Sequence, residues 1–402
     1  MEKNKELREA NLIGHVEQSL RLAPLRKAMT EAGIHAALIC NNANLFWLTG
    51  RVFRGYVFVA ADSDQVLYLV RRPNFLSGNG VLFISKPSEI PAKLARAGVQ
   101  LDKPIALELG TMPYSDVLRL CKAIGIPSPA ADITPLIRSA RAVKTAEEQK
   151  QMRLSGEKHT LVYKHIPHYY REGMTDVEFQ IEIERASRLE GCLGQFRVAG
   201  TEMEIFMGNV LTGANADTPS PYDFAMGGAG TNPSLPAGAD GTVIRRGNPV
   251  MIDVNGNYTG YMTDMTRCFI SGDAPETVQL ANQLSIDICE ALREMMVPGT
   301  PASALYEKAA QMAREAGMDE YFMGHRSKAG FVGHGVGIEI NELPVIAPRS
   351  RDILQCGNTI ALEPKFVIPG IGAIGVENTY IVHDNAPAEI LTTAPQNIVQ
   401  LD

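Results

Sequence analysis

The stretch PVMIDVNGNYTGYMTDMTRCFI, residues 249–270, reads as a β-hairpin with two acids in the wrong place for a surface. An apolar run from Pro249 to Val254 meets the turn-forming Asn255-Gly256-Asn257, and Tyr258 to Ile270 returns as a second strand. Asp253 and Asp264 both sit among strand-type apolar residues. A carboxylate there is costly to bury unless it is paired or binds a metal. A bulged or coiled return strand would bring Asp264 back towards Asp253.

The same arrangement recurs downstream. Thr359 to Ile368, the turn Pro369-Gly370 and Ala373 to Val382 form a second hairpin, with Glu363 in IALEPKF and Glu377 in IGVENTY. Between the hairpins lies GHGVG, residues 333–337, where glycines allow close backbone approach and leave the His334 imidazole as the sizeable group. Taken singly, each acid is more often a turn or surface group, and a lone histidine is usually a satisfied core residue. Together, four carboxylates repel strongly without cations. One imidazole with four carboxylates suits Mn, Co, Fe or Zn in a paired site, and the negative charge would roughly balance two divalent ions.

Helices precede each hairpin in a repeated pattern. Gly173-Met-Thr-Asp opens a helix with a Thr175/Glu178 capping box that ends at Gly191. Gly299-Thr-Pro-Ala opens another that ends at Gly317; both starts and both ends are 126 residues apart. Each follows a further helical stretch, Glu147 to Tyr170 and Glu276 to Met296. A duplicated α/β unit is expected.

A chain of 402 residues exceeds one ordinary core, so two domains are expected, 1–140 and 141–402. The first alternates a helix over Leu25 to Gly33, a strand over His35 to Cys40, and paired strands Tyr56 to Ala60 and Gln65 to Val70 around Asp62-Ser63-Asp64. It shows no cluster of titratable residues and reads as accessory. The polar run SARAVKTAEE marks the boundary, and Thr145 before Glu147 and Glu148 starts a long helix.

The ordered set Asp253, Asp264, His334, Glu363 and Glu377, in the contexts ID, DMTR, GHGVG, LEP and VEN, resembles the pita-bread metallohydrolases: aminopeptidase P, prolidase, methionine aminopeptidase and the non-metal relative creatinase. The first domain and the ARAVKTAEEQKQMR junction also look like the aminopeptidase P/prolidase branch. The resemblance implies an α/β (α+β) fold, with a creatinase-like N-terminal domain and an internally duplicated pita-bread domain. It implies that the five residues hold two ions, with Asp264 and Glu377 bridging. A hydroxide held between the ions would attack an amide carbonyl, and Glu363 would carry its proton to the leaving nitrogen. Xaa-Pro aminopeptidase or dipeptidase activity and a homodimer follow from the same likeness.

The match breaks around the metals. Where that branch carries substrate-binding histidines, this chain has Pro236, Gly330 and Asn341, and Gly375 stands where an arginine is usual. The loss of one oxyanion donor costs about 10²–10³ in rate. The alternative is therefore a metal-dependent hydrolase or lyase of a small non-peptide metabolite. A Gly-, Ala- and Asn-rich loop from Gly200 to Gly241 is expected at the mouth of the site, with Asn209, Tyr222, Asn232 and Asn341 as candidate substrate contacts. His325 is a candidate substitute for a missing histidine.

A net charge of −7 without a basic stretch argues against nucleic acid or anionic membrane as partners; a peptide or small molecule is the expected one. No apolar run approaches the roughly 20 residues of a membrane span. The charged N-terminus does not read as a signal peptide, and six scattered cysteines read as reduced thiols, so a cytoplasmic protein is expected.

Overall fold

A computed structural model describes residues 12–71, 76, 78–101, 105–200, 205–222 and 226–401. The charged N-terminal run (1–11) and parts of the expected loop (201–204 and 223–225) lie outside them. The chain divides into two units, Met1–Arg141 and Ala142–Asp402.

In the first unit, α1 (His15–Glu31) begins ten residues before the expected Leu25 and carries Pro24 inside it. It is followed by β1 (Ala36–Ile39), α2 (Asn42–Thr49), β2 (Gly55–Ala60), β3 (Val66–Arg71), β4 (Val81–Ile84), α3 (Ile90–Arg96), β5 (Ala106–Leu107), α4 (Tyr114–Ile124) and α5 (Thr134–Ala142). The sheet order is β4-β3-β2-β1-β5. Strands β2 and β3 pair antiparallel around the Asp62–Asp64 turn, as their sequence predicts. Buried Glu108 has its oxygens occupied by the backbone N–H groups of Cys40 and Asn41 and by the Asn44 amide. A buried acid so thoroughly bonded serves the local fold.

The second unit opens with α6 (Ala146–His165) and α7 (Asp176–Leu189), each started by a full capping box, Thr145/Glu148 and Thr175/Glu178. Next come β6 (Gly208–Thr212), β7 (Pro249–Val254), β8 (Gly256–Asn257), β9 (Met262–Thr263) and β10 (Thr266–Ile270). The second half brings α8 (Glu276–Met295), α9 (Ala302–Glu315), β11 (Gly333–Gly335), β12 (Glu342–Ile346), β13 (Thr359–Leu362), β14 (Lys365–Ile368), β15 (Gly372–Gly375), β16 (Asn378–Ile381), β17 (Glu389–Ile390) and β18 (Val399–Gln400). Replacing Thr145 by alanine removes the acceptor of the Glu148 backbone N–H at the start of α6 and is expected to cost about 1 kcal/mol. Thermal unfolding would register this as a drop in Tm of roughly 2–4 °C.

Two sheets result, β18-β10-β7-β6 and β12-β11-β13-β16-β17. In each, the hairpin strands (β7 with β10, β13 with β16) sit beside a strand from earlier in the chain, β6 or β11. That is the duplication expected from the helices. The buried face of α8 (Val278, Ala281, Asn282, Ser285, Ile288, Cys289, Leu292) repeats every three or four residues, as a helix packed on a sheet requires. On α9 the buried residues are Ala302, Leu305, Ala309 and Ala313, whose small side chains allow close approach.

Three sequence expectations need correction. The first hairpin does not turn at Asn255–Asn257; the chain continues through the β8–β9 ribbon and turns between Asn257 and Met262. The supposed loop over 200–241 contains β6, a fully buried strand paired along β7 from Gly208↔Val254 to Thr212↔Val250. Its Gly- and Asn-rich composition concealed a strand whose stability comes from pairing and burial. Both hairpins are also interrupted: β10 stops pairing with β7 at Thr266↔Asp253, and β13/β16 gives way to β14/β15 between Leu362↔Asn378 and Lys365↔Gly375.

Each interruption leaves backbone groups to be satisfied, and a helix does so. From α6, Ser155 donates to the Tyr261 carbonyl, His159 Nδ1 lies 3.0 Å from Thr263 Oγ1, and Tyr163 Oη meets the backbone of Val254 and Met265. Gly256 admits that helix, since a Cβ there would lie 2.5 Å from the His159 ring. From α8, Ser285 Oγ donates to the Pro364 carbonyl and accepts from Val376 N, and Cys289 Sγ faces the Leu362 carbonyl. Ser285 and Cys289 follow His159 and Tyr163 by the same 126 residues that separate the helix-capping glycines. The repeat thus extends to the polar residues that hold the broken hairpins.

Candidate metal centre

The acids occupy these breaks. Asp264 lies between β9 and β10, Glu363 between β13 and β14, and Glu377 between β15 and β16; Asp253 is near the end of β7. His334 is the middle residue of β11, paired with Ala361 on β13. A residue at a break is freed from the strict alternation of a strand, so its side chain can turn towards a common centre.

All five converge. Ligand atoms of Asp264, His334 and Glu377 lie within 4.8 Å of one another, as do those of Asp253, Glu363 and Glu377. Glu377 belongs to both triads. His334 Nε2 is 3.4 Å from Glu363 Oε1 and 3.9 Å from Asp264 Oδ2. Its Nδ1 lies 3.0 Å from the Gly335 carbonyl and can donate there, so that a cation displacing the Nε2 proton would find that nitrogen facing the centre.

The DMTR sequence has a part for almost every residue. Thr266 Oγ1 donates to Glu377 Oε2 at 2.8 Å, while Asp264 N donates to Thr379 Oγ1, also at 2.8 Å. These bonds tie the two hairpins together. Arg267, 1% exposed, donates to the carbonyls of Thr266, Glu377, Thr392, Ala394 and Pro395 and to Asn378 Oδ1. The carboxylates are therefore set on a rigid, crosslinked frame.

A further residue, outside the five singled out by their sequence contexts, stands at the centre. Lys365, wholly buried, places Nζ 2.8 Å from Asp253 Oδ2, 2.7 Å from Glu363 Oε2 and 3.2 Å from Glu377 Oε2. A lysine in the apolar run LEPKFVI was the signal available in the sequence, because such a group needs acid partners to remain buried. Burial disfavours its ammonium, but Asp253, Glu363 and Glu377 more than compensate and hold its pKa well above the usual lysine value. Burial also opposes ionisation of Glu363, yet Lys365 and His334 pull that carboxyl down to about 2. Asp264 is pushed up to about 7 by burial and by Asp253, and Glu377 is raised by burial, Asp264 and Glu363. His334 is raised to about 9, the pull of Glu363 and Asp264 exceeding the effect of burial. Lys365 thus compensates one triad, while in the other burial and neighbouring carboxylates push Asp264 and Glu377 towards their neutral forms.

A cation fits that remaining triad. Glu377 Oε1 is buried with no hydrogen-bond partner, and imidazole plus carboxylates is a donor set for Mn, Co, Fe or Zn. The two triads together do not offer the same room, since Nζ already touches all three members of the second.

Residues 150–384, a stretch that includes every one of these donors, match metallopeptidase family M24. The chain belongs to that family. Residues 21–143 match the creatinase/prolidase N-terminal domain. Over 379 residues the M24 chain is 24% identical to an Xaa-Pro dipeptidase of Pyrococcus furiosus, covering 93% of this chain and 98% of the relative. It shares its fold with an Xaa-Pro dipeptidase from Bacillus anthracis (TM-score 0.79, 22% identity, 96% of this chain and 100% of the other). An X-Pro aminopeptidase from Thermotoga maritima is also similar (TM-score 0.74, 22% identity, 94% and 98%). Membership of M24 makes this chain a metal-dependent peptidase on the pita-bread fold.

The expected substrate contacts divide. Asn209, registered opposite Asp253, lines the cavity over the acids together with Phe196, Phe331 and Asn341. Its Oδ1 is buried without a partner. Asn341 reaches the same cavity, but its amide clamps the backbone N–H and carbonyl of Ala199. Tyr222 lines a different cavity, with Asp217 and His325, and Asn232 is exposed in a turn, its Oδ1 accepting from Ser234 N. Neither reaches the acids. His325 pairs with Asp217 at 3.0 Å and supplies nothing to the centre.

Proposed function

We propose that this M24 peptidase cleaves the amide bond of peptides with proline in the second position, as an Xaa-Pro aminopeptidase or dipeptidase. The convergence of Asp253, Asp264, His334, Glu363 and Glu377 carries the reading, and the names of the relatives agree with it. A divalent cation of the Mn, Co, Fe or Zn group, when bound, polarises a carbonyl and acidifies water. The family likeness implies a pair of such ions. Asp264, His334 and Glu377 would hold the cation, Glu363 would accept the water proton and return it to the leaving nitrogen, and Asn209 Oδ1 would accept a hydrogen bond from substrate. Thr266 and Thr379 keep the acids in place.

Lys365 favours a second reading, a hydrolase or lyase of a small non-peptide metabolite. Pro236, Gly330, Asn341 and Gly375, where the aminopeptidase P/prolidase branch carries histidines and an arginine, point the same way. One panel separates the two: dipeptides and longer Xaa-Pro peptides assayed with Mn, Co and Zn after chelation. Turnover restored by metal is expected; intact metal binding with no peptide cleaved moves the assignment to the second reading. The six free cysteines suit the cytoplasm, where such thiols stay reduced. Among the described residues no helix is long and apolar enough to cross a membrane. A homodimer is the assembly we expect, to be checked by light scattering.

A further inference from the structure

We propose that the Lys365 ammonium permanently occupies the place of one cation, so that this centre holds a single divalent ion, at Asp264, His334 and Glu377. The inference rests on the metal-dependent reading above. It changes the number of ions and the way charge is supplied.

The two triads are unequal in one respect. Every member of the Asp253, Glu363 and Glu377 triad has an oxygen within 3.2 Å of Lys365 Nζ. A metal ion bound by those oxygens would lie about 2.0–2.2 Å from each, in the space the ammonium fills. Of the other triad, Lys365 Nζ bonds neither Asp264 nor His334 among the described residues, and Glu377 keeps Oε1 buried and unpartnered. One triad has a cation built into the chain. The other has an open donor.

The lysine is held there by its surroundings. It is wholly buried, and its backbone is fixed by Met323 N donating to the Lys365 carbonyl at 2.8 Å. Across the β14–β15 ribbon its registered partner is Gly375. A Cβ at Gly375 would lie 3.0 Å from both Cα and Cγ of Lys365, so the absence of a side chain on one strand makes room for the lysine on the other. Withdrawal of Nζ would leave a buried charge unpaired, or three carboxylates without their partner. An ammonium supplies charge and three hydrogen bonds but no open coordination position. Any substrate polarisation by metal therefore comes from one side of the centre.

Metal content decides the matter without reference to activity. Purified, metal-depleted protein would be loaded with Mn, freed of excess by gel filtration, and analysed by elemental analysis and electron paramagnetic resonance. One Mn per chain with the signal of an isolated ion is expected. Lys365→Gly is expected to take up two and to show exchange-coupled Mn, and Lys365→Ala carries the same expectation should the glycine variant fail to fold. Two coupled ions in the unsubstituted protein would overturn the inference alone. No bound metal at all would overturn it together with the metal-dependent reading. Folded Lys365 variants that stay at one ion would also sink it, because the lysine would then not be what excludes the second.

Discussion

Replacing Glu363 by glutamine is expected to lower kcat by about 10²–10³-fold while KM changes little and metal content persists. The amide keeps the shape of the side chain and can still accept from Lys365, so the positioning of neighbouring groups is retained. What it loses is the capacity to take a proton. General base catalysis is commonly worth about 10²–10⁴; the lower part of that range applies here because Lys365 and His334 hold the Glu363 carboxyl down at about 2, against burial. A carboxylate held so firmly ionised is a weak base. Steady-state kinetics on the best peptide of the panel, with metal analysis of the same sample, checks this. A kcat within tenfold of the parent would assign the proton transfer elsewhere.

Arg267→Ala is expected to be the most damaging single change to stability outside the hydrophobic core. The guanidinium bridges five backbone carbonyls and Asn378 Oδ1, and among these are Thr266 and Glu377, the pair that joins the two hairpins. Truncation leaves several buried acceptors unsatisfied and opens space where a large side chain stood. Hydrogen bonds to charged groups contribute about 1.5–3 kcal/mol each, though not additively, and loss of a buried network sits at the severe end of single substitutions, roughly 3–5 kcal/mol. A fall in Tm of about 10 °C follows for a unit of this size. Arg267→Lys should recover little, because a lysine has three donors on a point charge and cannot reproduce the planar fork. Differential scanning calorimetry of both variants tests the argument; a lysine variant that melts with the parent would refute it. Both variants should also lose metal affinity, since Glu377 depends on this frame.

The chemistry of the centre was legible in the sequence because buried charge is conspicuous there. Asp253, Asp264, Glu363 and Glu377 stand out in strand-type contexts, and the Thr175/Glu178 box with its counterpart helix 126 residues on announced the duplication. Capping and strand signals are local, and local signals survive in one dimension. The same locality misled where pairing decided the outcome. The stretch Gly208–Thr212 has the composition of a loop and becomes a strand through its pairing with β7. The turn at Asn255–Asn257 has strong hairpin chemistry, yet His159 packs on Gly256 and the ribbon continues past it.

The sequence by itself determined which groups had to be neutralised: four acids set in apolar strand-type contexts with a histidine among glycines between them, in a chain that must enclose them together. Only the tertiary structure decided what neutralises them, because that depends on which atoms meet across strands far apart in the chain. Lys365 is two residues from Glu363 but 112 from Asp253, and its ammonium finds Asp253 only when the interrupted hairpins fold against each other. Charge type is written residue by residue. The partner of each charge is a matter of distance, and distance is set by the packed fold.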